Sequence, residues 1–409
     1  MRRRRVAKLS LAVGMVGLLI LPALVYTQVP GRVNNPRLRQ SYPSLSAAVA
    51  AAAANDTLLV SGTLTGPNAT LSGSIPPGLK IVAGRGLRGT LHLSSCPGGP
   101  GGAILDVSNR AGALLIQGLR LVVPNFCTGV LSFANGNPLT VRGLRIDRAT
   151  AAASITGIGL GNETGGPFII EQNVIPSAGG GVGILVDGDA STPIAASVRG
   201  NTVGSGGSPM LVGIVVNQVP AASDVIVERN RVDGGNHVSN FAGISVSYSN
   251  GVIVQRNTIR NFVGTASFQD ATGIEIAESL NTQVRRNIIA NNDIGAVVND
   301  SVAPGETANT VVINENNITS TVTGATGLLF FRDSSFTAPL DARNNWWGTA
   351  NGPQDDELAD TTDCPEAPCT AEGGGLPIAV ASSTDDCGTA AGTVRTCPFR
   401  MAPVALVGA

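Results

Sequence analysis

Val254-Gln255-Arg256-Asn257-Thr258-Ile259 returns one turn of chain later as Val284-Arg285-Arg286-Asn287-Ile288-Ile289, and again as Ile313-Asn314-Glu315-Asn316-Asn317-Ile318. The pattern is apolar-x-x-Asn-x-apolar. It also runs backwards through Val227–Val232, Val198–Val203 and Ile170–Ile175. Two earlier copies, Ile116–Leu121 and Val141–Ile146, carry Leu119 and Leu144 in the Asn place, and a worn last copy ends at Asn345. Successive copies are 25, 29, 28, 29, 27, 30, 29 and 29 residues apart. A fixed period of this length marks a repeat architecture built from one supersecondary unit.

A second series keeps step with the first. Gly-apolar-x-apolar segments begin at Gly129, Gly157, Gly183, Gly213, Gly243, Gly273, Gly295 and Gly327. Each coil therefore holds at least two short strands of period two, with residues such as Ile274 and Ile276 facing in and Glu275 facing out. No helical pattern lies between them, which excludes a doubly wound α/β sheet. Short parallel strands stacked at ~4.8 Å make a solenoid, and the handedness rule for parallel connections makes it right-handed. The sequence predicts an all-β, right-handed parallel β-helix with about 28 residues per coil.

Composition agrees. The 409 residues include 52 Gly and 24 Pro but only 13% charged and 4% aromatic residues, while 43% are hydrophobic. That combination excludes wholesale disorder, which requires low hydrophobicity and high charge, and the glycines lack the period of collagen. The Asn series Asn173, Asn201, Asn230, Asn257, Asn287 and Asn316 reads as structural. Asn tolerates the left-handed conformation of a sharp turn, and stacked amides can bond in a ladder. Ser44–Ala54 reads as one short helix covering the open N-terminal end, ahead of a first strand over Asp56–Val60. Trp346 and Trp347 read as closure of the far end of the core.

The N-terminus carries Arg2, Arg3, Arg4, Arg5 and Lys8 before an apolar run from Leu9 to Leu21. Its length suits a signal peptide better than a membrane span, which needs ~20 residues. Stretched to Tyr26, the run reads alternatively as a membrane anchor through residues 9–26. The expected organisation is a signal segment at 1–27, a β-helix domain at 41–350 and an acidic, cysteine-bearing tail at 351–409. The expected location is secreted, periplasmic or cell-surface. Residues 28–350 hold 20 basic and 19 acidic side chains, and the tail holds two and nine. No basic stripe is large enough for nucleic acid. Of six cysteines, Cys96 and Cys127 stand 31 residues apart, near one coil length, and are the expected disulfide. With no Cys-x-x-Cys and only isolated His92 and His237, a zinc site is not indicated.

The helix followed by Asn55–Val60, the Asn repeats and the ending Asn344-Asn345-Trp346-Trp347-Gly348 resemble exported bacterial β-helix repeat proteins of the pectin-lyase-like superfamily. The resemblance spans roughly residues 41–353. It implies the fold, but the superfamily spans polysaccharide lyases, hydrolases, epimerases and adhesins, so it implies function only broadly. The motifs of its enzymes are missing. There is no Gly-His-Gly, no Arg-x-Lys and no Asp-Pro-x-Asp, and no lysine follows Lys80.

Two constellations remain. Glu278, Asp300 and Arg332 share one offset, five residues after Gly273, Gly295 and Gly327, so in register Glu278 and Asp300 would stand ~5 Å apart. Such a pair could serve as acid and nucleophile of a retaining glycosidase, although the 22-residue step from Gly273 to Gly295 strains the register. Arg229, Arg256 and Arg286 form a column able to meet an acidic polysaccharide. No cofactor is called for; Asp187-Gly188-Asp189 and Asp355-Asp356-Glu357 offer oxygens to calcium without the ligand spacing of a known loop. The sequence reads as a non-catalytic extracellular module that interacts with carbohydrate. The alternative is a polysaccharide lyase or glycoside hydrolase.

Overall fold

A computed structural model describes residues 30–349 apart from 72, 85–88, 205–209, 238–239, 265–270, 300–310 and 332–339. Beyond them it describes 354–355, 376–380, 394–395, 400 and 402–403. Each coil contributes one strand to each of three sheets. In one coil these are Ile253–Gln255 in sheet 1, Thr258–Arg260 in sheet 2 and Thr272–Ala277 in sheet 3. All three pair in parallel with the next coil, at Val254↔Val284, Ile259↔Ile289 and Ile274↔Ala296. The chain is a parallel β-helix whose sheets hold 14, 10 and 11 strands among the described residues.

The inward positions are those the alternation selects. Val227, Val254 and Val284 from sheet 1, Ile259 and Ile289 from sheet 2, and Ile244 and Ile274 from sheet 3 are all fully buried. Each contributes about 1.5–3 kcal/mol by leaving water. The same residue type stacks on itself from rung to rung, so the core is continuous along the axis.

The repeated glycines have a steric cause. At Gly243 an added Cβ would lie 2.3 Å from Ile259 Cγ2 and 2.6 Å from the Gly273 carbonyl oxygen. At Gly183 the clashing atoms are Val203 Cγ1 at 2.3 Å and the Gly213 oxygen at 2.5 Å. Sheet 3 starts where the corner is too tight for any side chain, and each glycine packs on the next.

The left-handed residue of the corner between sheets 1 and 2 is not the asparagine. It is the residue before it: Gln172, Arg229, Arg256, Arg286 and Glu315 have φ between 52° and 56°, with Gly200 at 61°. The asparagine instead turns inward. Asn257 Nδ2 donates to the Val227 carbonyl (2.9 Å) and to Asn287 Oδ1 (3.0 Å). Its Oδ1 accepts from the backbone N–H (2.9 Å) and Nδ2 (3.0 Å) of Asn230. The ladder continues through Asn287 and Asn316 to Asn345, and begins where the Leu144 N–H donates to Asn173 Oδ1 at 2.9 Å.

The helix spans Leu45–Ala50, shorter than the sequence suggested. Ser44 accepts from the Ala47 N–H, and Leu45, Ala48 and Val49 are buried. The first edge of sheet 1 is finished by an antiparallel hairpin, Arg32–Asn35 with Gln40–Tyr42, whose first strand pairs with Thr57–Ser61. At the other end Trp347 is fully buried while Trp346 bridges to Asn317 of sheet 2. Beyond residue 350, Pro377–Val380 pairs with Thr326–Phe331, and Val394–Arg395 pairs with Leu340–Asp341. Cys96 and Cys127 form a disulfide. No helix among the described residues is long and apolar enough to cross a membrane. The segment 1–27, with residues 9–26, lies outside them, as do Cys364, Cys369, Cys387 and Cys397.

Candidate functional site

The three outer faces differ in chemistry. Sheet 1 presents a ladder of alternating charge: Arg142, Glu171, Arg199 and Glu228 are successive partners. Arg199 pairs with Glu171 at 2.8 Å, and Gln255 Nε2 donates to Glu228 at 3.2 Å. Sheet 2 is similar, with Arg120 paired to Asp147 and Arg260 to Asp233, both at 2.8 Å. In each pair the guanidinium is exposed and the carboxylate largely covered.

Sheet 3 carries no Lys, Arg or His in any of its coil strands from Ala103–Asp106 to Thr326–Phe331. One outward column reads Leu131, Gly159, Leu185, Val215, Ser245, Glu275. The next outward column includes Asp187, Asn217, Ser247, Ala277 and Asn299. Ser247 Oγ donates to Asn217 Oδ1 (3.2 Å), and Asn217 Nδ2 donates to Asp187 Oδ1 (2.8 Å). Burial pushes the Asp187 carboxyl above the usual range, and the Asn217 bond opposes it. Glu275 is raised in the same way by burial, against the bond donated by Ser245 Oγ at 2.6 Å.

The five large apolar side chains exposed among the described residues, Phe126, Phe133, Leu211, Phe241 and Tyr248, all lie on this sheet or at the ends of its strands. Phe126 and Phe133 bracket the strand Thr128–Phe133; Phe241 and Tyr248 bracket Ala242–Ser247. Seven residues of extended chain and four rungs each span about 20 Å, so the four rings mark the corners of a roughly square face. Phe126, Phe241 and Tyr248 are held by backbone bonds to the adjoining rung, from their N–H groups to Ser154, Leu211 and Ala277. The Phe133 ring lies over Gly161, where a Cβ would come within 2.9 Å of it. The Cys96–Cys127 disulfide fixes the residue next to Phe126.

The sequence candidates fall elsewhere or apart. Glu278 sits in the left-handed position (φ 47°) at the exit of its sheet 3 strand, its N–H donating to Asn299. The register across the short coil holds, because Thr272 pairs with Ile294. Asp300 and Arg332 lie outside the described residues. Arg229, Arg256 and Arg286 stand at the corner between sheets 1 and 2, where Arg229 meets Glu228 (3.2 Å) and Arg286 meets Glu315 (2.6 Å). Two of the three cations are thus neutralised by neighbours. Asp187 and Asp189 do not converge on one point: Asp187 holds Asn217, and Asp189 accepts the N–H groups of Ser191 and Thr192. Asp356 and Glu357 lie outside the described residues.

The aromatic corners escaped the sequence reading because each occurs once in several coils. A signal existed: an aromatic two or three residues before a strand-leading glycine and another four or five after it, at Phe126/Gly129/Phe133 and Phe241/Gly243/Tyr248.

The family described as right handed beta helix region matches residues 128–339. Two crystal structures of the periplasmic alginate epimerase AlgG, one of a mutant, match over 80% of this chain and 84% of theirs. Their identities are 11% and 10% and their TM-scores 0.34 and 0.28, values at which the likeness says nothing about activity. No curated protein matches the sequence.

Proposed function

From the chain's membership of the right-handed β-helix family, which fixes scaffold and leaves chemistry open, we propose that it is an extracytoplasmic, non-catalytic module that holds carbohydrate on the outer face of sheet 3. The observation that carries this reading is the set of four exposed rings bracketing two strands of one sheet. A pyranose ring has an apolar face of C–H groups and a rim of hydroxyls. Aromatic platforms beside hydroxyl, amide and carboxylate groups match both parts, as ligand sites generally combine apolar lining with a few placed polar groups. The rungs fix these groups before any ligand arrives, so little ordering entropy is spent on binding. The disulfide supports a location in an oxidising compartment.

A second reading rests on Glu275. Its partly buried carboxyl, raised above the usual range, is suited to donate a proton to a glycosidic oxygen. That reading makes the protein a glycoside hydrolase or polysaccharide lyase, with Glu278, at the exit of the same strand, as the other candidate. A glycan array run beside assays for reducing ends and unsaturated products separates the two. Binding without products supports the module. Products that vanish in Glu275→Gln or Glu278→Gln support the enzyme, and neither binding nor products removes both.

A further inference from the structure

Resting on that carbohydrate reading, we infer that the ligand of the sheet 3 face is a neutral, hydroxyl-rich glycan rather than a polyuronate. Among the described residues the charge on this face has one sign. Its strands contain no cation to meet a carboxylate, whereas Asp187 and Glu275 point outward from them. Among the described residues the exposed arginines are concentrated on sheets 1 and 2 and at their shared corner, where Glu171, Glu228, Asp233 and Glu315 already hold several of them. A uronate laid between the aromatic corners would bring its carboxylates over two partly desolvated acids, and like charges in such a setting repel strongly.

A hydroxyl has the opposite relation to the same groups. An ionised carboxylate offers about four lone-pair sites and no donor, and Asn217 and Ser245 take up one each on Asp187 and Glu275. What remains accepts O–H groups. The chain Ser247–Asn217–Asp187 crosses three rungs, so its polar atoms repeat along the solenoid axis at the rung spacing of ~4.8 Å. The Tyr248 side chain next to Ser247 is 59% exposed and Phe241, at the other end of the same strand, is 44% exposed; both offer flat surfaces to C–H faces. A glycan without charge gains both interactions and incurs no repulsion.

The test measures binding of the full chain to cellohexaose, xylohexaose and mannohexaose, and to galacturonate and guluronate hexamers, by calorimetry at one ionic strength. The expected result is that at least one neutral hexamer binds and both uronates bind at least tenfold more weakly. In Tyr248→Asn, where asparagine suits the left-handed backbone (φ 48°), neutral binding falls about tenfold while the thermal melt stays in place. The double variant Asp187→Asn/Glu275→Gln gains uronate binding severalfold. Uronate binding equal to or tighter than neutral binding in the natural sequence overturns the charge inference and leaves the carbohydrate reading standing. No binding of any hexamer overturns that reading itself.

Discussion

Replacing Asn257 with leucine should unfold far more of the solenoid than its size suggests, and more than the same replacement at Asn173. In the interior of the ladder the change removes the acceptor of the Asn230 backbone N–H (2.9 Å) and of one Asn230 Nδ2 hydrogen (3.0 Å). It also removes a donor from the Val227 carbonyl (2.9 Å). The Asn257 N–H keeps its own acceptor on Asn287. Two buried donors are left without partners, each costing about 1–3 kcal/mol, so the loss is about 4 kcal/mol. At Asn173 the preceding rung holds Leu144, which has no side-chain amide. The Val141 carbonyl loses a donor as Val227 does, but the Leu144 N–H is the single donor orphaned, for about 2 kcal/mol. Urea titration followed by far-UV circular dichroism, with hydrogen exchange at the Asn230 and Leu144 amides, measures both. Site-resolved exchange matters because a repeat array need not unfold in two states. Equal losses at the two positions, or a loss below about 1 kcal/mol at Asn257, would refute the ladder argument.

Gly243→Ala places a methyl group 2.3 Å from Ile259 Cγ2 and should cost about 3 kcal/mol, read as a lowered melting temperature. Arg256→Gly relieves a left-handed arginine (φ 56°) and should gain about 1 kcal/mol by urea midpoint. Because burial raises the Glu275 carboxyl, the folded state binds its proton more tightly than the unfolded chain. Its favourable contribution is complete below the ordinary glutamate range and is lost as pH rises through the raised value. Glu275→Gln should therefore flatten the fall in melting temperature across that window, and an unchanged slope would contradict it. Cys96→Ser/Cys127→Ser opens a closure with a sequence separation of 31 and should cost about 4 kcal/mol by chemical denaturation. It should also weaken any ligand that touches Phe126.

What the sequence discloses depends on how strictly each rung copies its neighbour. The ladder asparagines and the corner glycines touch their own counterparts one coil away, so the residue type has to recur and the period is plain. The residue preceding each asparagine bears the left-handed strain, yet its identity ranges over Gln, Gly, Arg and Glu. Any side chain that points to solvent there satisfies the corner, and no pattern betrays it. The arginines at that position form a regular column only because the corner recurs, and Glu228 and Glu315, legible beside them in the sequence, pair with two of them. The sheet 3 face was harder to read because a ligand surface needs different groups at different rungs. Ser245 and Glu275 repeat nothing and become neighbours only once the register is known.

The step from Gly273 to Gly295 is eight residues shorter than the one before it, and no strand pays for the difference. Eleven positions separate Thr258–Arg260 from Thr272–Ala277, but three separate Ile288–Ala290 from Ile294–Asn299. That difference falls at the entry to sheet 3, and the corner after sheet 3 varies as well, from five positions after Thr272–Ala277 to twelve after Ile294–Asn299. The strands thus keep their register while the corners on either side of sheet 3 take up the differences in length. A change of length at such a corner leaves the rung-to-rung pairing on both sides in place, provided that Phe262 and Ala271, which are buried in the core, are kept.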